Sequence, residues 1–146
     1  MMQKRLTPAD CACFNLRKAS RMMAQVYDHY LQPSGLTNTQ FSLLVVASKH
    51  NPISITELAD QLAMERTTLT RNLQLVKRAG LVQVRAGRNA RTKDVQVTAN
   101  GRKALEKALP LWEQAQSKVV ESLGHAHWGK LVKELRTLAE IGRSLH

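Results

Sequence analysis

The sequence is poor in aromatic residues, acidic residues and cysteine, and it has no long apolar run. Aromatic side chains make up 4% of its 146 residues and hydrophobic ones 43%, so the core is expected to be aliphatic. Two cysteines exclude a framework of several disulfides, which leaves the reducing cytoplasm as the expected compartment. The longest apolar run, residues 43–47, is far too short to cross a bilayer. No apolar stretch follows Met1–Arg5, where the sequence continues with Thr-Pro-Ala-Asp at 7–10, so no secretory signal is expected.

Negative charge is scarce as well, because 11 acidic residues face 22 lysines and arginines and leave a net charge of +11. Such an excess is typical of proteins whose partner is a polyanion, either a nucleic acid or an acidic membrane surface. No predicted helix pairs a basic face with a strongly apolar one, so a membrane partner is not expected. The basic residues are densest in residues 85–93, RAGRNARTK, which hold four of them and no acid.

Capping and turn residues predict the order helix, helix, helix, helix, hairpin, helix, helix. Thr7 opens a first helix that runs to about Leu31, and the Thr37–Gln40 capping box opens a second. The remaining helices are expected to begin after Ser54, Met64, Thr98 and Gly124. The fold class that this order predicts is mainly α-helical with a small β-hairpin.

Apolar residues at helical spacing predict the buried face of each helix. On the first helix this stripe comprises Cys13, Leu16, Met23, Tyr27 and Tyr30. The fourth helix has Leu69, Leu73 and Val76, the fifth has Leu105, Leu109, Trp112, Val119 and Leu123, and the sixth has Trp128, Leu131, Leu135 and Leu138. Pro110 is expected to kink or break the fifth helix.

Residues 54–97 combine two short helices, a tight turn and two alternating segments, 81–85 and 94–97, which is the order of a winged helix-turn-helix. The second helix of such a pair fits the major groove of DNA, and a basic hairpin loop, the wing, fits the minor groove. Leu69 faces the core, so its polar neighbours face outward. The candidate DNA-contacting residues are Arg66, Thr67, Thr68, Thr70 and Arg71 on the helix, with Arg88, Arg91 and Lys93 on the hairpin.

Two segments, SITELADQLAMERTTLTRNLQLVKRAGLV at 54–82 and NARTKDVQVTANG at 89–101, resemble the MarR family of bacterial winged-helix regulators. The similarity extends over nearly the whole chain, since helix order and length also agree. It implies a transcriptional regulator that binds double-stranded DNA. It also implies that Thr67, Thr68 and Arg71 lie in the major groove and that Arg91 enters the minor groove.

The sequence departs from the family pattern at two positions of this region. The family's Asp-x-Arg pattern in the wing reads Asn89-x-Arg91 here, so the carboxylate that usually braces the arginine is replaced by an amide. Ala63 stands where a glycine is common in the turn between the two helices. The first change affects how the wing is held, while the positive charge of its lysine and arginines remains.

The winged helix needs only about residues 37–98, and the first, fifth and sixth helices carry apolar stripes of their own. We therefore expect residues 7–32 and 99–146 to form a helical dimerisation lobe within a single domain, residues 1–146. A two-fold homodimer predicts a pseudo-palindromic operator, with the two major-groove helices about one DNA turn apart. The resemblance agrees, because MarR proteins are dimers.

We expect the regulator to be a repressor that leaves its operator in response to a signal, and one candidate signal is an oxidant. Cys13-Phe14 and Tyr27 are similar to the first helix of the organic-hydroperoxide-sensing branch of the family. The similarity implies that Cys13 is the reactive thiol and Tyr27 its partner, although a second tyrosine of that branch is Asn38 here. Cys11 lies on the same predicted helix, two residues away, and points about 200° from Cys13, so a bond between them is not expected. The alternative interpretation is that Cys13 is a small apolar side chain buried in the core.

The other signal is a small phenolic or aromatic effector, as in many MarR proteins. Its candidate lining residues are Met22, Met23, Tyr27, Phe41 and Trp112, which also suit an ordinary core. A non-specific architectural DNA-binding protein is a further alternative. An enzyme is not expected, because the sequence has no Gly-x-Ser-x-Gly, His-Glu-x-x-His or glycine-rich phosphate loop. No carboxylate or thiol accompanies His125 and His127, so neither a metal nor a cofactor is expected.

Overall fold

The computed structural model describes residues 4–146, so Met1–Gln3, on which the expectation about a secretory signal partly rests, lie outside the described residues. The helices are α1 (Ala12–Leu31), α2 (Asn38–Lys49), α3 (Ile55–Gln61), α4 (Arg66–Arg78), α5 (Ala99–Leu123) and α6 (His125–Ser144). The strands are β1 (Ile53–Ser54), β2 (Val82–Ala86) and β3 (Lys93–Val97). The predicted class, mainly α with a small β wing, is confirmed. No helix in residues 4–146 is both long and apolar enough to span a membrane.

The predicted starts of α2, α3 and α5 are confirmed by their capping bonds. The Thr37 hydroxyl accepts from the N–H of Gln40 at 3.2 Å, and the Gln40 side chain accepts from the N–H of Thr37 at 3.1 Å. The Ser54 hydroxyl accepts from the N–H of Glu57 at 3.1 Å, and that of Thr98 accepts from the N–H of Gly101 at 3.0 Å. These bonds satisfy backbone donors that have no partner inside their helix.

The prediction that α1 begins at Thr7 is wrong. Pro8–Asp10 form a 3-10 turn, Cys11 is extended with φ −62° and ψ 123°, and the α-helix begins at Ala12. The Asp10 carboxylate accepts bonds from the backbone N–H and the hydroxyl of Thr7, both at 2.9 Å, which close the turn locally and hold the pKa of Asp10 below its usual range. Cys11 therefore precedes the helix that carries Cys13, and the expected 200° between their side chains does not apply.

The sheet has one more strand than the predicted hairpin. β2 and β3 are antiparallel, with Val82 opposite Val97, and β1 adds to the free edge of β3 with Ile53 opposite Val95. Ile53 is almost fully buried, which explains the pairing. Two residues are too few to show an alternating pattern, so β1 could not be predicted from periodicity.

The core is aliphatic, as predicted, and lies between α2, α3, α4, α5 and the sheet. The predicted inward residues of α4, Leu69, Leu73 and Val76, are all buried. Fully buried residues of the other elements include Leu31, Leu43, Leu44, Ile53, Leu58, Val82 and Val95. α4 is thereby fixed on one side, which leaves its opposite side as a rigid exposed surface.

The apolar stripe of α1 is not buried in this chain, contrary to the prediction. Cys13, Leu16 and Met23 are exposed, and Tyr27 and Tyr30 are half-buried. Cys13 is therefore not the small buried residue that its position in the stripe suggested. The spacing correctly marks the apolar side of the helix, but residues of the same chain do not cover that side.

The stripe of α5 is shifted from the predicted one, because its buried residues include Ala108, Ala115 and Val120 while Leu109 is exposed. Small side chains let a helix lie close to its neighbours, and a pattern based on large apolar residues overlooks them. α5 runs unbroken through Pro110, so the expected break is absent.

Residues up to Trp112 form one compact unit and residues 113–146 a second. In the second unit α6 has no buried residue, and three of its apolar side chains, Leu135, Leu138 and Ile141, are exposed. The predicted burial of Leu135 and Leu138 is therefore not found within the described chain.

Candidate nucleic-acid interface

The exposed side of α4 gathers most of the residues that were predicted to contact DNA. Arg66, Thr67, Thr70 and Arg71 line one shallow open depression, together with Gln74. Thr68 is exposed but lies outside this lining. Gln74 was missed by the sequence reasoning, although it stands three residues after Arg71 and seven after Thr67, which is the spacing of one helix face.

Hydrogen bonds within α4 separate engaged polar side chains from available ones. The Thr70 hydroxyl donates to the carbonyl of Arg66 at 2.8 Å, and the Asn72 amide donates to the carbonyl of Thr68 at 3.0 Å. Within residues 4–146 the guanidinium groups of Arg66 and Arg71 have neither a hydrogen bond nor an ion pair. These two cations are therefore free to meet phosphates or base edges.

The turn between α3 and α4 sets the position of this face. Ala63 adopts a left-handed backbone, with φ +49°, at the position where the family pattern often has glycine. The N–H of Ala63 donates to the carbonyl of Asp60 at 3.1 Å, and that of Met64 donates to the carbonyl of Ala59 at 2.9 Å. Buried Leu58 and Leu69 fix the two helices on either side of the turn.

The wing loop, residues 87–92, is closed by its own backbone. The N–H of Gly87 donates to the carbonyl of Thr92 at 2.7 Å, and the N–H of Thr92 donates to the carbonyl of Asn89 at 3.2 Å. A Cβ atom at Gly87 would collide with the Thr92 hydroxyl, so only glycine fits this close approach. The loop is thus compact despite its high charge.

Asn89 braces the loop through the main chain of Arg91. Its side-chain oxygen accepts from the backbone N–H of Arg91 at 3.1 Å, so the amide holds the main chain rather than the guanidinium. Arg88, Arg91 and Lys93 are exposed, and none of the three side chains is bonded within the part of the chain that is described. The wing therefore presents three available cations on a closed backbone.

The wing and α4 belong to the same compact unit and are joined through the start of β2. The N–H of Leu81 donates to the carbonyl of Val76 at 3.0 Å, and the N–H of Thr98 donates to the carbonyl of Leu81 at 3.0 Å. The Thr98 hydroxyl also donates, at 2.6 Å, to the carbonyl of Gly80, the left-handed glycine that follows α4. The end of α4 and the base of the hairpin are consequently fixed to one another.

The candidate effector residues occupy different environments. Phe41 is buried and stacks on Trp112, with ring centroids 6.1 Å apart and an interplanar angle of 22°. Tyr27 is half-buried, and this burial raises its pKa. Met22 and Met23 are exposed, at 54% and 40% of their surface. The structure thus brings Phe41 and Trp112 together and leaves the two methionines on the surface.

Both cysteines are free and exposed. The Cys11 sulfur accepts from the N–H of Phe14 at 3.5 Å and so caps α1. His125 and His127 are exposed in the first turn of α6. No group of three histidine, cysteine or acidic side chains within residues 4–146 is placed to hold a metal ion.

Comparison with known proteins places this geometry among DNA-binding regulators. Residues 34–91 match the MarR family. The structure is similar to that of the M. tuberculosis transcriptional regulator MosR solved in complex with DNA, with 46% identity, a TM-score of 0.86, and coverage of 93% of this chain and 98% of that one. The Bacillus subtilis HTH-type transcriptional repressor YetL is 30% identical over 124 residues, which are 83% of this chain and 74% of YetL. The organic hydroperoxide resistance transcriptional regulator of Bacillus subtilis is 27% identical over 100 residues, or 68% of each chain.

Proposed function

Because the chain belongs to the MarR family of winged-helix transcriptional regulators, whose members are DNA-binding regulators and not enzymes, we propose that it is a sequence-specific repressor that binds double-stranded DNA. The observation that carries the proposal is the exposed face of α4, where Arg66 and Arg71 are unpaired beside Thr67. The similarity to a regulator solved with DNA supports it. In this proposal α4 enters the major groove and the wing loop enters the minor groove.

The protein is proposed to act as a homodimer in the cytoplasm. α1 and α6 each carry exposed apolar side chains, Leu16 and Met23 on α1 and Leu135 and Leu138 on α6, which a second copy would cover. In this arrangement residues 37–98 form the DNA-binding lobe, and residues 7–32 and 99–146 form the dimerisation lobe. Two-fold symmetry then requires a pseudo-palindromic operator with half-sites about one DNA turn apart.

Selection from a pool of random duplexes, followed by gel-shift titration, tests this function. The wild type should enrich a pseudo-palindrome and should lose affinity steeply with salt, because Lys and Arg contacts release counterions. Arg71→Ala should relax specificity by roughly 1–3 kcal/mol at one base pair, whereas Arg136→Ala, an exposed arginine of α6, should leave specificity unchanged. Equal affinity for all duplexes would instead indicate an architectural DNA-binding protein.

We propose that a small phenolic or aromatic effector releases the repressor from its operator. The stacked pair Phe41 and Trp112, with half-buried Tyr27 on α1, provides the apolar and hydroxyl groups that such a ligand needs. Titration with a panel of phenols and aromatic acids, in a Trp128→Phe background, makes Trp112 the sole tryptophan reporter. A compound that quenches Trp112 and releases DNA over the same concentration range supports the proposal, and release without quenching contradicts this site.

A second candidate signal is an organic hydroperoxide that acts on Cys13. The exposure of this thiol favours the candidate, as does the similarity to an organic hydroperoxide resistance regulator. The hydroperoxide oxidises the thiol to a sulfenic acid and is itself reduced to the alcohol. Cumene hydroperoxide should then release DNA from the wild type but not from Cys13→Ser. Cys11→Ser serves as the matched variant, because an unchanged response there assigns the reaction to Cys13.

A further inference from the structure

We infer that Gln74 is a base-reading residue of α4 and that it selects an adenine next to the base pair that Arg71 contacts. The inference rests on the proposed function and adds a specificity-determining residue to it. Gln74 is exposed and lines the same depression as Thr67 and Arg71. Within residues 4–146 its side chain makes no hydrogen bond, so the fold does not account for its position on this face.

Two other uncharged polar side chains of the helix, Thr70 and Asn72, are less available than Gln74. The Thr70 hydroxyl already donates its proton to the carbonyl of Arg66, at 2.8 Å. The Asn72 amide donates to the carbonyl of Thr68, at 3.0 Å, and is half-buried. Gln74 is therefore the side-chain amide of α4 whose donor and acceptor both remain open toward the depression.

The chemistry of a carboxamide matches adenine in the major groove. Its oxygen accepts from the adenine N6 amino group while its nitrogen donates to N7, whereas a guanidinium pairs in the same way with O6 and N7 of guanine. Gln74 and Arg71 are therefore expected to prefer different purines. Each side chain would read one base through two parallel hydrogen bonds.

The spacing along the helix places the two bases next to each other. Three residues advance α4 by about 4.5 Å, close to the roughly 3.4 Å between stacked base pairs. Recognition helices in other folds also contact successive bases with residues three positions apart. Arg71 and Gln74 thus specify a guanine and an adenine at neighbouring base pairs of each half-site.

The test measures the affinity of the full-length protein for the duplex selected by the wild type and for its single-base variants. Replacement of the adenine should weaken wild-type binding roughly 5- to 150-fold, the range for one bidentate base contact. Gln74→Ala should bind all four bases at this position equally and keep its other preferences. Gln74→Glu, which retains only acceptors, should shift the preference at this position toward cytosine.

Atomic substitution in the DNA provides an independent check. A duplex with 7-deazaadenine lacks the N7 acceptor, so it should weaken the wild type and leave Gln74→Ala unaffected. Gln61→Ala, an exposed glutamine of α3, serves as the matched control and should keep the full preference for adenine. Circular dichroism of each variant checks that the helix content is unchanged.

The outcomes separate this inference from the function on which it rests. Equal weakening of Gln74→Ala on every duplex makes Gln74 a phosphate contact and overturns the inference alone. The same holds if Gln74→Ala keeps the wild-type preference at every base pair. A wild type that shows no sequence preference at all overturns the proposed repressor function and base reading together.

Discussion

The Asp28 carboxylate on α1 accepts a hydrogen bond from the backbone N–H of Asn38, the first residue of α2, at 2.6 Å. That N–H has no partner within its own helix, and the start of a helix carries partial positive charge. Asp28 therefore supplies both a hydrogen bond and a favourable charge to α2. The contact joins α1 to the helix that precedes the helix-turn-helix.

Asp28→Ala is expected to lower the free energy of unfolding by about 1 kcal/mol, as for loss of a helix cap. Asp28→Asn keeps the acceptor and loses only the charge, so its loss should be smaller. Urea unfolding of both variants checks this order, with Gln25→Ala, exposed on the same helix, as the control. Equal losses for the alanine and asparagine variants would mean that the hydrogen bond contributes nothing.

Gly101→Ala and Gly142→Ala are expected to change stability in opposite directions. A Cβ at Gly101 would collide with the backbone carbonyl of Leu81 and lie 2.8 Å from the Val97 side chain. Gly101→Ala should therefore lower the free energy of unfolding by about 1–3 kcal/mol. Nothing lies within 4 Å of a Cβ at Gly142, where alanine should stabilise α6 by about 0.5–1 kcal/mol. Thermal unfolding of the pair checks the prediction. Stabilisation by both substitutions would show that helix propensity outweighs the contact with Leu81.

Ala63→Gly is expected to raise the free energy of unfolding slightly. The left-handed backbone at φ +49° costs alanine about 1–2 kcal/mol, whereas the greater freedom of glycine in the unfolded chain costs about 0.4–1 kcal/mol. Ala139 lies at an exposed position within α6, away from its ends. Ala139→Gly should instead lower the free energy of unfolding by about 1 kcal/mol. Urea unfolding compares the two variants, and a comparable loss for Ala63→Gly would disprove the backbone argument.

Local signals in the sequence predicted the helices and the wing well. The pair Thr37 and Gln40 predicted where α2 begins, because the bonds that start a helix lie within one turn of it. Thr7 and Asp10 form a similar pair, but it caps only a 3-10 turn. Leu69 and Val76 were correctly assigned to the core, since the exposed side of α4 is strongly polar. The basic residues of the wing were found because they lie close together in the sequence.

Features that depend on distant parts of the chain were predicted less well. Periodicity identified Cys13 and Leu16 as an apolar face but not whether the same chain covers it. Large residues were favoured on α5, so the close packing of Ala108 was missed and Leu109 was wrongly assigned to the core. Gln74 was overlooked because one polar residue on a polar helix face has no distinctive pattern until the depression on α4 is seen.

The wing offers a test of how backbone support and charge contribute separately to DNA binding. Asn89→Ala removes the acceptor that holds the N–H of Arg91 without removing any charge. The binding free energy should therefore weaken by about 1 kcal/mol, while the slope of log K against log salt stays unchanged. Arg91→Ala should lower affinity and also reduce the slope of log K against log salt by about 1. Gel-shift titrations over a series of salt concentrations measure both quantities.

Asn89→Asp is the matched control for this pair of variants. It retains an acceptor for the N–H of Arg91, so the loop should stay closed, but it adds a negative charge next to the DNA. Its affinity should therefore fall most at low salt, where charge repulsion is least screened, and approach the wild-type value at high salt. If Asn89→Ala reduced the slope of log K against log salt as much as Arg91→Ala does, the Asn89 amide would be holding the Arg91 side chain in contact with a DNA phosphate. The wing would then depend on Asn89 for its charge contact as well as for its shape.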